Sequence, residues 1–508
     1  MRGMTSAGGD LSTRAGNSGG MTAGGKNASK LLVTIAAVAI VASSVLVSVP
    51  NSALAVVDPA LGAGGYALIA VRHGATSQVA RVAQDAGATE TSALEAIDVV
   101  IARVSTPALA ALRADPAVRL IAADGTVSAA GGRKDVERPG VNNVGVAAVD
   151  APRAWHESTG RGVAVALLDT GIAAHPDLEG SVVARVDFVG DGSTALDPGG
   201  HGTHLAGLIA GHGASFKGVA PDAKLVSLRV LDAKGDGTLH AVLGAIDWTL
   251  KHRRDYGIRV MNLSFGAAQL RSYQNDILAA AAESVWFSGV VVVAAAGNDG
   301  PLGRTVTTPG ADPFVVTVGS LDDQGTAAAH DDRESEFSSR GPTLDGVAKP
   351  DILAPGERVL SLRAAGSALD RIVHGQAEAT PSLYTRMSGT SVSSALASGI
   401  AALVVAKHPT YSTTQVKGAL VAGAHRVAGS PTPGADAPGS LVARPARVNA
   451  DLVPSRLLLE MLARNGVSIA SVSWEGISWE SVSWETVSWE GVAWEGVNWE
   501  TVAWETTR

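Results

Sequence analysis

The chain has 508 residues, more than one ordinary domain of roughly 100 to 200 residues, so several structural units are expected. Hydrophobic residues make up 46% and charged residues 17% of it, which excludes a wholly disordered chain or a polyelectrolyte. The formal net charge of −8 gives no electrostatic basis for binding nucleic acid. Because the chain contains no cysteine, a disulfide framework, thiolate chemistry and a Cys-ligated metal site are excluded.

Residues 1–55 have the pattern of an export signal. Lys26 and Lys30 precede an apolar run over 31–49, and Ala53-Leu54-Ala55 provides the small-x-small pattern that a signal peptidase accepts. We therefore predict a cleaved signal peptide over 1–55 and a secreted protein. The run of 19 residues is also long enough to span a bilayer. An uncleaved anchor, which would hold the protein on the outer face of a membrane, is the alternative.

The segment 56–130 is predicted to form a small α+β domain. Apolar periodicity predicts strands over 66–71, 88–91, 98–104 and 118–122, and helices over 77–86 and 107–113. The resulting order is β-α-β-β-α-β, a small sheet backed by two helices. A linker with little structural propensity follows over 129–134.

The segment 135–455 alternates short Val-rich runs with helical patterns. The predicted strands cover 163–168, 225–231, 260–265, 290–296 and 314–318, and the predicted helices cover 201–210, 239–254 and 277–288. Together they indicate a doubly wound parallel α/β domain. Asp169, Ser264 and Asn298 each follow or end an apolar run, and ligands bind beyond the carboxyl ends of such strands.

Four side chains in this domain fit nucleophilic catalysis. Ser391 lies at the start of a predicted helix, where its own N–H and the helix dipole favour a developing oxyanion. His201 could take the serine proton, and Asp169 could orient the imidazole and stabilise its charged form. Asn298 would supply a second oxyanion donor. Each residue alone is weak evidence, whereas the ordered set Asp, His, Ser is a strong signal.

These residues lie in motifs that resemble the subtilase (subtilisin-like) serine peptidase family. The resemblance covers 135–452 and rests on these segments: VALLDTGIAAHPDL, HGTHLAGLIAG, GVAPDAKLVSLRVL, MNLSFG, AAAGN, FSSRGP, KPDILAPG and MSGTS. It implies a peptidase of polypeptide substrates in which Ser391 is the nucleophile, His201 the general base and then acid, and Asp169 the orienting carboxylate. Asn298 and the Ser391 N–H would bind the oxyanion, and His204 would be structural.

The resemblance also implies substrate contacts and an inhibitory N-terminal domain. Residues that would pair with an extended substrate are Gly235, Asp236, Gly237, Ser264, Phe265 and Gly266, and those that would line the pocket before the scissile bond are Ala294, Ala295, Ala296 and Gly297. The domain 56–130 is similar to the inhibitory propeptide of secreted subtilases, an intramolecular inhibitor whose two helices pack on the catalytic domain and whose C-terminal end lies in the active site. Maturation would then occur between about Asp124 and Arg138.

The chain departs from the family pattern in two places. Val392 and Ala395 stand where relatives usually have Met and Pro, so we expect altered helix entry geometry and a lower rate without loss of activity. The loop 211–217 lacks the Asn-rich calcium segment of many relatives, so that calcium site is predicted to be absent. Asp177 matches another calcium ligand and leaves weaker structural sites open. No metal or other cofactor is expected in the chemistry.

A connector is predicted over 456–470 and a repeat tail over 471–508. The tail repeats a five-residue unit such as Val-Ser-Trp-Glu-Gly and holds seven of the ten Trp residues. An odd period gives no constant face on a strand, and 500° per unit gives none on a helix. The unit superficially resembles pentapeptide-repeat β-solenoids, but Trp is bulky for their interior. We expect a flexible or partly extended adhesive tail that binds a cell-surface polymer or protein, or one that folds back on the catalytic domain. A catalytically weak surface protein that displays this tail is the alternative function.

Overall fold

The computed structural model describes residues 56–58, 61, 64–130, 144–374 and 383–462. The predicted signal peptide (1–55), the end of the linker (131–134), the end of the connector (463–470) and the repeat tail (471–508) lie outside the described residues.

The N-terminal domain has the predicted β-α-β-β-α-β order, with one further short strand before it. Its elements are β1 (Val56–Val57), β2 (Tyr66–Val71), α1 (Thr76–Asp85), β3 (Thr89–Leu94), β4 (Val99–Arg103), α2 (Thr106–Ala114), β5 (Val118–Ala123) and, beyond the sheet, β6 (Thr126–Ala129). The sheet order is β1-β5-β2-β4-β3. Strand β1 pairs with β5 in parallel, and the other pairs are antiparallel.

Both faces of this small sheet are apolar and covered. Ile69, Val100 and Leu112 belong to a core between the sheet and α1 and α2. Leu68 and Leu120, on the opposite face, belong to the core of the main domain. The expectation that the two helices of this domain pack on the catalytic domain is therefore wrong, because the open sheet face makes that contact. The nearly unbroken apolar run of β2 is typical of a strand buried on both sides.

The main domain is built on a predominantly parallel sheet, which confirms the predicted doubly wound α/β class. Its strands are β7 (Ala164–Asp169), β8 (Val182–Asp187), β9 (Lys224–Arg229), β10 (Asp236–Thr238), β11 (Ile258–Leu263), β12 (Phe265–Gly266), β13 (Val291–Ala295), β14 (Val316–Asp322), β15 (Arg333–Glu334), β16 (Ile352–Pro355), β17 (Val359–Leu362) and β18 (Tyr384–Met387). The large sheet has the order β15-β14-β13-β11-β7-β9-β8, with β16 also pairing with β14. Only the β14–β15 pair in it is antiparallel.

The helices of this domain lie on the sheet and extend the chain beyond it. They are α3 (Val144–Ala148), α4 (Ala151–Ala154), α5 (His201–Ala210), α6 (Leu239–Tyr256), α7 (Ile277–Phe287), α8 (Ala368–His374), α9 (Thr390–Lys407), α10 (Thr413–Gly423), α11 (Ala437–Val442) and α12 (Arg456–Leu462). Helix α12 occupies the first seven residues of the segment that we predicted to be a connector. Among the described residues, α9 is the one helix long and apolar enough to cross a membrane, and it is 89% buried inside the domain.

The strands predicted from the sequence are continuous apolar runs, and this pattern does not identify β8. The residues of β8 alternate between half-buried and exposed, as expected at the edge of the sheet. Strands β17 and β18 form a separate two-stranded sheet. This pair leads the chain into α9, whose first turn carries Ser391.

Candidate active site

Three elements bring Asp169, His201 and Ser391 together at the carboxyl edge of the sheet. Asp169 ends β7, His201 begins α5 and Ser391 is the second residue of α9. His201 Nδ1 donates to Asp169 Oδ1 at 2.7 Å, and His201 Nε2 lies 2.9 Å from Ser391 Oγ. All three side chains are buried, so the hydrogen bonds act in a medium less polar than water.

The electrostatics of the site favour a basic His201. Burial disfavours the charged imidazole, but the negative charge and the hydrogen bond of Asp169 outweigh it, so the pKa of His201 is raised. A neutral His201 therefore has a strong tendency to accept the Ser391 proton. Asp169 also fixes the tautomer in which Nε2 is free to act as that acceptor.

Sequence reasoning missed Asp197, a buried carboxylate that holds the start of α5. It accepts hydrogen bonds from the N–H groups of Gly200 at 2.6 Å and Thr203 at 2.8 Å, and from the Thr170 hydroxyl at 2.7 Å. The Thr170 N–H donates in turn to Asp169 Oδ1 at 2.8 Å. Asp197 thus ties the first turn of the histidine helix to the end of the aspartate strand. Asp197 stands four residues before the helix, and Gly200 occupies the usual capping position, so no local pattern in the sequence marks its role.

Gly202 allows α5 to approach the end of β7. A Cβ at this position would lie 2.0 Å from the carbonyl oxygen of Gly171, which is part of the backbone and cannot move away cheaply. A side chain at Gly202 would therefore push His201 away from Asp169. Close packing of α5 against β7 therefore explains why the His-Gly-Thr-His motif has glycine at this position.

Asn298 is oriented by Thr390, a second residue that sequence reasoning missed. Asn298 Oδ1 accepts hydrogen bonds from the N–H and the hydroxyl of Thr390, both at 3.0 Å. With the carboxamide oxygen used in this way, the NH₂ group is the end of Asn298 that remains to donate elsewhere. The arrangement suits the predicted role as a donor to an oxyanion.

The end of the N-terminal domain lies in the groove beside the triad. Strand β6 is the middle strand of a three-stranded sheet, between β10 and β12 and antiparallel to both. The Ala129 N–H donates to Gly235 O at 2.8 Å, and the Ala130 N–H donates to Ser264 O at 3.0 Å.

All six predicted backbone-pairing residues meet this segment. Gly237 pairs with Val127, and both Asp236 and Gly266 pair with Ser128. The remaining partners are Phe265, which pairs with Ala129, and Gly235 and Ser264, whose carbonyl groups accept the hydrogen bonds already described.

Ala130 reaches Ser391, the predicted nucleophile. Its carbonyl oxygen accepts the Ser391 N–H at 3.1 Å and lies 2.7 Å from Ser391 Oγ. This oxygen therefore contacts the Ser391 N–H, one of the two donors predicted for an oxyanion. The sequence did not predict which residue would contact Ser391. It indicated only that maturation would occur between about Asp124 and Arg138.

The four residues predicted to line a substrate pocket follow one another along β13 and its end. Ala294, Ala295 and Ala296 are fully buried, and Gly297 has a φ of +106°, a conformation that favours glycine. The Gly297 N–H donates to Thr390 Oγ1 at 3.2 Å, which connects this segment to the serine helix. Their role as the pocket remains a prediction.

His204 lies one turn after His201 in α5 and serves the packing of the helix. Burial, followed by the nearby charge of His201, lowers its pKa to about 3, so the ring is neutral. Its Nε2 donates to Val359 O at 3.1 Å, which links α5 to β17. This environment agrees with the structural role that the resemblance implied.

Asp177, the candidate calcium ligand, is buried and contacts the hydroxyl of Tyr384. That hydroxyl donates to Asp177 Oδ2 at 2.8 Å. Among the residues that the structure describes, no group of three or more His, Asp and Glu side chains is placed to hold a metal ion.

Comparison with known proteins gives matches that centre on the main domain. The model of the subtilase family matches residues 160–447. Serine protease AprX of Bacillus subtilis (strain 168) is 42% identical over 268 residues, which are 51% of this chain and 60% of AprX. Subtilisin DY of Bacillus licheniformis is 35% identical over 266 residues, which are 51% of this chain and 83% of that protein.

A solved structure matches more of the chain. The crystal structure of fervidolysin from Fervidobacterium pennivorans, a keratinolytic enzyme related to subtilisin, has a TM-score of 0.58 at 23% identity and covers 77% of this chain. At that identity the match supports the fold alone. The chain spans 60% of AprX and 63% of the fervidolysin chain, less than two thirds of each.

Proposed function

We infer that this chain, which belongs to the subtilase family, is made as a secreted zymogen that cleaves itself and then acts as a serine endopeptidase on polypeptides. Its domain over 160–447 is a subtilisin-like serine peptidase domain. The catalytic chemistry of that family requires no cofactor.

The proposed reaction follows from the positions of the four catalytic side chains. Ser391 Oγ attacks the carbonyl carbon of the scissile bond while its proton passes to His201 Nε2, and Asp169 stabilises the imidazolium. The Ser391 N–H and the Asn298 NH₂ bind the oxyanion. The intermediate collapses to an acyl-enzyme on Ser391 as His201 returns the proton to the leaving amine. Water then repeats the sequence and releases the acid.

The position of Ala130 carries the proposal. Its carbonyl oxygen accepts the Ser391 N–H at 3.1 Å, and Ser391 Oγ lies close to the same carbonyl. The residues before it are held as an added strand between β10 and β12. A carbonyl in this position is the group that the serine attacks. We therefore assign the self-cleaved bond as Ala130–Gly131, which lies within the predicted maturation window.

The same contacts would make the N-terminal domain (56–130), the proposed prodomain, an inhibitor after the cut. Residues 126–130 would remain in the groove as the bound product and exclude other chains. The docking is supported away from the groove by the Ala96 N–H, which donates to Asp247 Oδ1 at 2.8 Å, and by His240 Nδ1, which lies 2.7 Å from Asp124 Oδ2. A polypeptide substrate would enter as a replacement strand once the prodomain has left.

Secretion and the tail are proposed from the sequence pattern. Residues 1–55 would direct export, and the Trp tail (471–508) would hold the enzyme at a cell-surface polymer or protein through several weak contacts. Sequencing the N-terminus of secreted material separates a cleaved signal from a membrane anchor.

A fluorophosphonate serine-hydrolase probe tests the proposed peptidase directly. We expect it to label the processed chain on Ser391 and to leave the Ser391→Ala chain unlabelled. Ser393→Ala is the matched control, because Ser393 lies two residues further along the same buried helix and outside the triad. An unlabelled parental enzyme would instead favour a catalytically weak surface protein.

A further inference from the structure

The chain continues as folded structure past the end of the peptidase domain. The family match ends at residue 447, and the described chain goes on to α12. The Ser455 hydroxyl caps this helix by accepting the Leu458 N–H at 3.2 Å. The helix has only seven residues, so its stability must come from the surfaces on which it packs.

One of these surfaces belongs to the peptidase domain. The Ser455 N–H donates to Glu283 Oε1 at 2.8 Å, and Glu283 is fully buried on α7. The Arg456 N–H donates to Gln274 Oε1 at 2.8 Å, and the Tyr273 hydroxyl donates to Val453 O at 3.2 Å. The start of α12 is therefore fixed to the peptidase domain by hydrogen bonds at three successive points.

The other surface belongs to the prodomain. Helix α12 packs against β2, the central strand of the prodomain sheet, and against its neighbour β5. At its end, the Met461 carbonyl accepts the His73 N–H at 2.5 Å, and the His73 ring lies 2.8 Å from Asp98 Oδ2.

Three large apolar side chains of α12 are buried, and the helix lies between α7 on one side and strands β2 and β5 on the other. Leu457 and Leu458 are 3% exposed and Met461 is 2% exposed. They belong to the same apolar cluster as Leu68 of β2 and Leu120 of β5. Removal of the prodomain would return part of this apolar surface to water, at a cost that scales with the area uncovered.

We propose that α12 is a second docking surface for the prodomain and slows its release after self-cleavage. This inference rests on the proposed self-cleavage, because only a cleaved prodomain can leave. The groove holds the last residues of the prodomain, whereas α12 holds its sheet at a separate place. Two joined contacts must both open before the prodomain dissociates, so loss of either one raises the release rate.

The first test uses Leu457→Ser and Met461→Ser in the full chain. After self-cleavage, size-exclusion chromatography measures how fast the prodomain separates, and a peptide substrate measures how fast peptidase activity appears. Both rates should be about tenfold or more higher in each variant, as expected when the contact loses about 1.4 kcal/mol or more of binding free energy. Val453→Ser is the matched control, because Val453 is an exposed residue of the same segment, and it should release at the parental rate. Release at the parental rate in both helix variants would overturn the proposal.

A general folding defect would give a different pattern. The mature helix variants, once free of prodomain, should hydrolyse a small peptide with the parental kcat/KM. The variant Leu457→Met, which keeps a large apolar side chain, should release the prodomain as slowly as the parental chain. If Leu457→Met also released the prodomain faster, or if the faster release came with a lowered kcat/KM, docking by α12 would be rejected.

A second test does not depend on cleavage. In the Ser391→Ala chain, which keeps the prodomain attached, Leu457→Ser should increase hydrogen exchange of the amides in β2 and β5, and Val453→Ser should not. Unchanged exchange in these strands would overturn the role of α12. If the parental chain is never cleaved, self-cleavage is wrong, while the exchange measurement still decides whether the helix holds the prodomain sheet.

Discussion

Asp169 determines the pH at which His201 can work. An ordinary histidine titrates near pH 6.5, about the value for a free imidazole side chain. In the structure the pKa of His201 is raised, because the charge of Asp169 outweighs the effect of burial. Since neutral His201 is the proposed base, activity should be low below this raised pKa and should increase as the pH passes above it.

The Asp169→Asn variant tests this dependence. Burial lowers the pKa of His201, and without Asp169 only the weaker effect of the Asp197 charge opposes it, so the acidic limb of kcat/KM should move to lower pH. Turnover should fall by about 10⁴, the loss known for the equivalent change in a serine protease triad, because the imidazole tautomer is no longer fixed. A pH profile of the mature enzyme measures both effects. An acidic limb that stays in place would contradict this account of His201.

Asn298 should act on the transition state alone. Asn298→Leu removes the NH₂ donor. It should raise the free-energy barrier of the chemical step by about 2.7 to 4 kcal/mol, the range known for the corresponding subtilisin residue, and so lower kcat with little change in KM. Asn298→Asp is the matched control for packing, because it keeps the oxygen that accepts from Thr390 but lacks the donor. It should also be slow. A change in KM alone would contradict the oxyanion role.

At the scale of elements, β6 should be seated by one buried side chain. Val127 is fully buried and faces Gly237 across the β6–β10 pair, whereas Thr126 is exposed. Val127→Asp would bury an unpaired carboxylate, which costs several kcal/mol, so self-cleavage of the full chain should slow strongly. Thr126→Asp adds the same charge to an exposed position and should leave the rate near parental. Gel electrophoresis measures the rate of self-cleavage in both variants. Equal rates in Val127→Asp and Thr126→Asp would contradict the placement of this strand.

The sequence predicts most of the elements that carry the candidate site. Strand β7 and helix α5 each contain an unbroken pattern, and Asp169 and His201 stand at their ends, so their meeting at one sheet edge follows from the parallel fold. Ser391 stands at the start of a predicted helix and Asn298 follows an apolar run, and the family motifs imply the same roles for both. Each of these predictions depends on short-range pattern or on motif order.

Other features could not be predicted because they depend on contacts distant in sequence. Asp197 and Thr390 act through hydrogen bonds to other elements, which no local pattern reveals. Leu68 and Leu120 show only that the prodomain sheet is apolar on a second face, without indicating what covers it. Helix α12 is short, and its packing partners on β2 and β5 are more than 300 residues away.

At the scale of the whole molecule, the repeat tail should be independent of catalysis. The peptidase match ends at residue 447, so deletion of residues 471–508 should leave hydrolysis of a small peptide unchanged. Comparison of both forms for retention on cell envelopes and for thermal midpoint tests the tail itself. Lost retention at an unchanged midpoint supports binding, whereas equal retention with a lowered midpoint means that the tail packs on its own enzyme.

The bond that the chain cuts in itself is the most direct test of the central claim. Intact-mass measurement of the purified precursor, followed over time, should show a single cut between Ala130 and Gly131, with the 56–130 fragment remaining bound at first. The Ser391→Ala precursor, treated identically, should stay whole. A cut at a different bond would contradict the placement of Ala130 in the active site. A Ser391→Ala chain cleaved at the parental rate would contradict the triad itself.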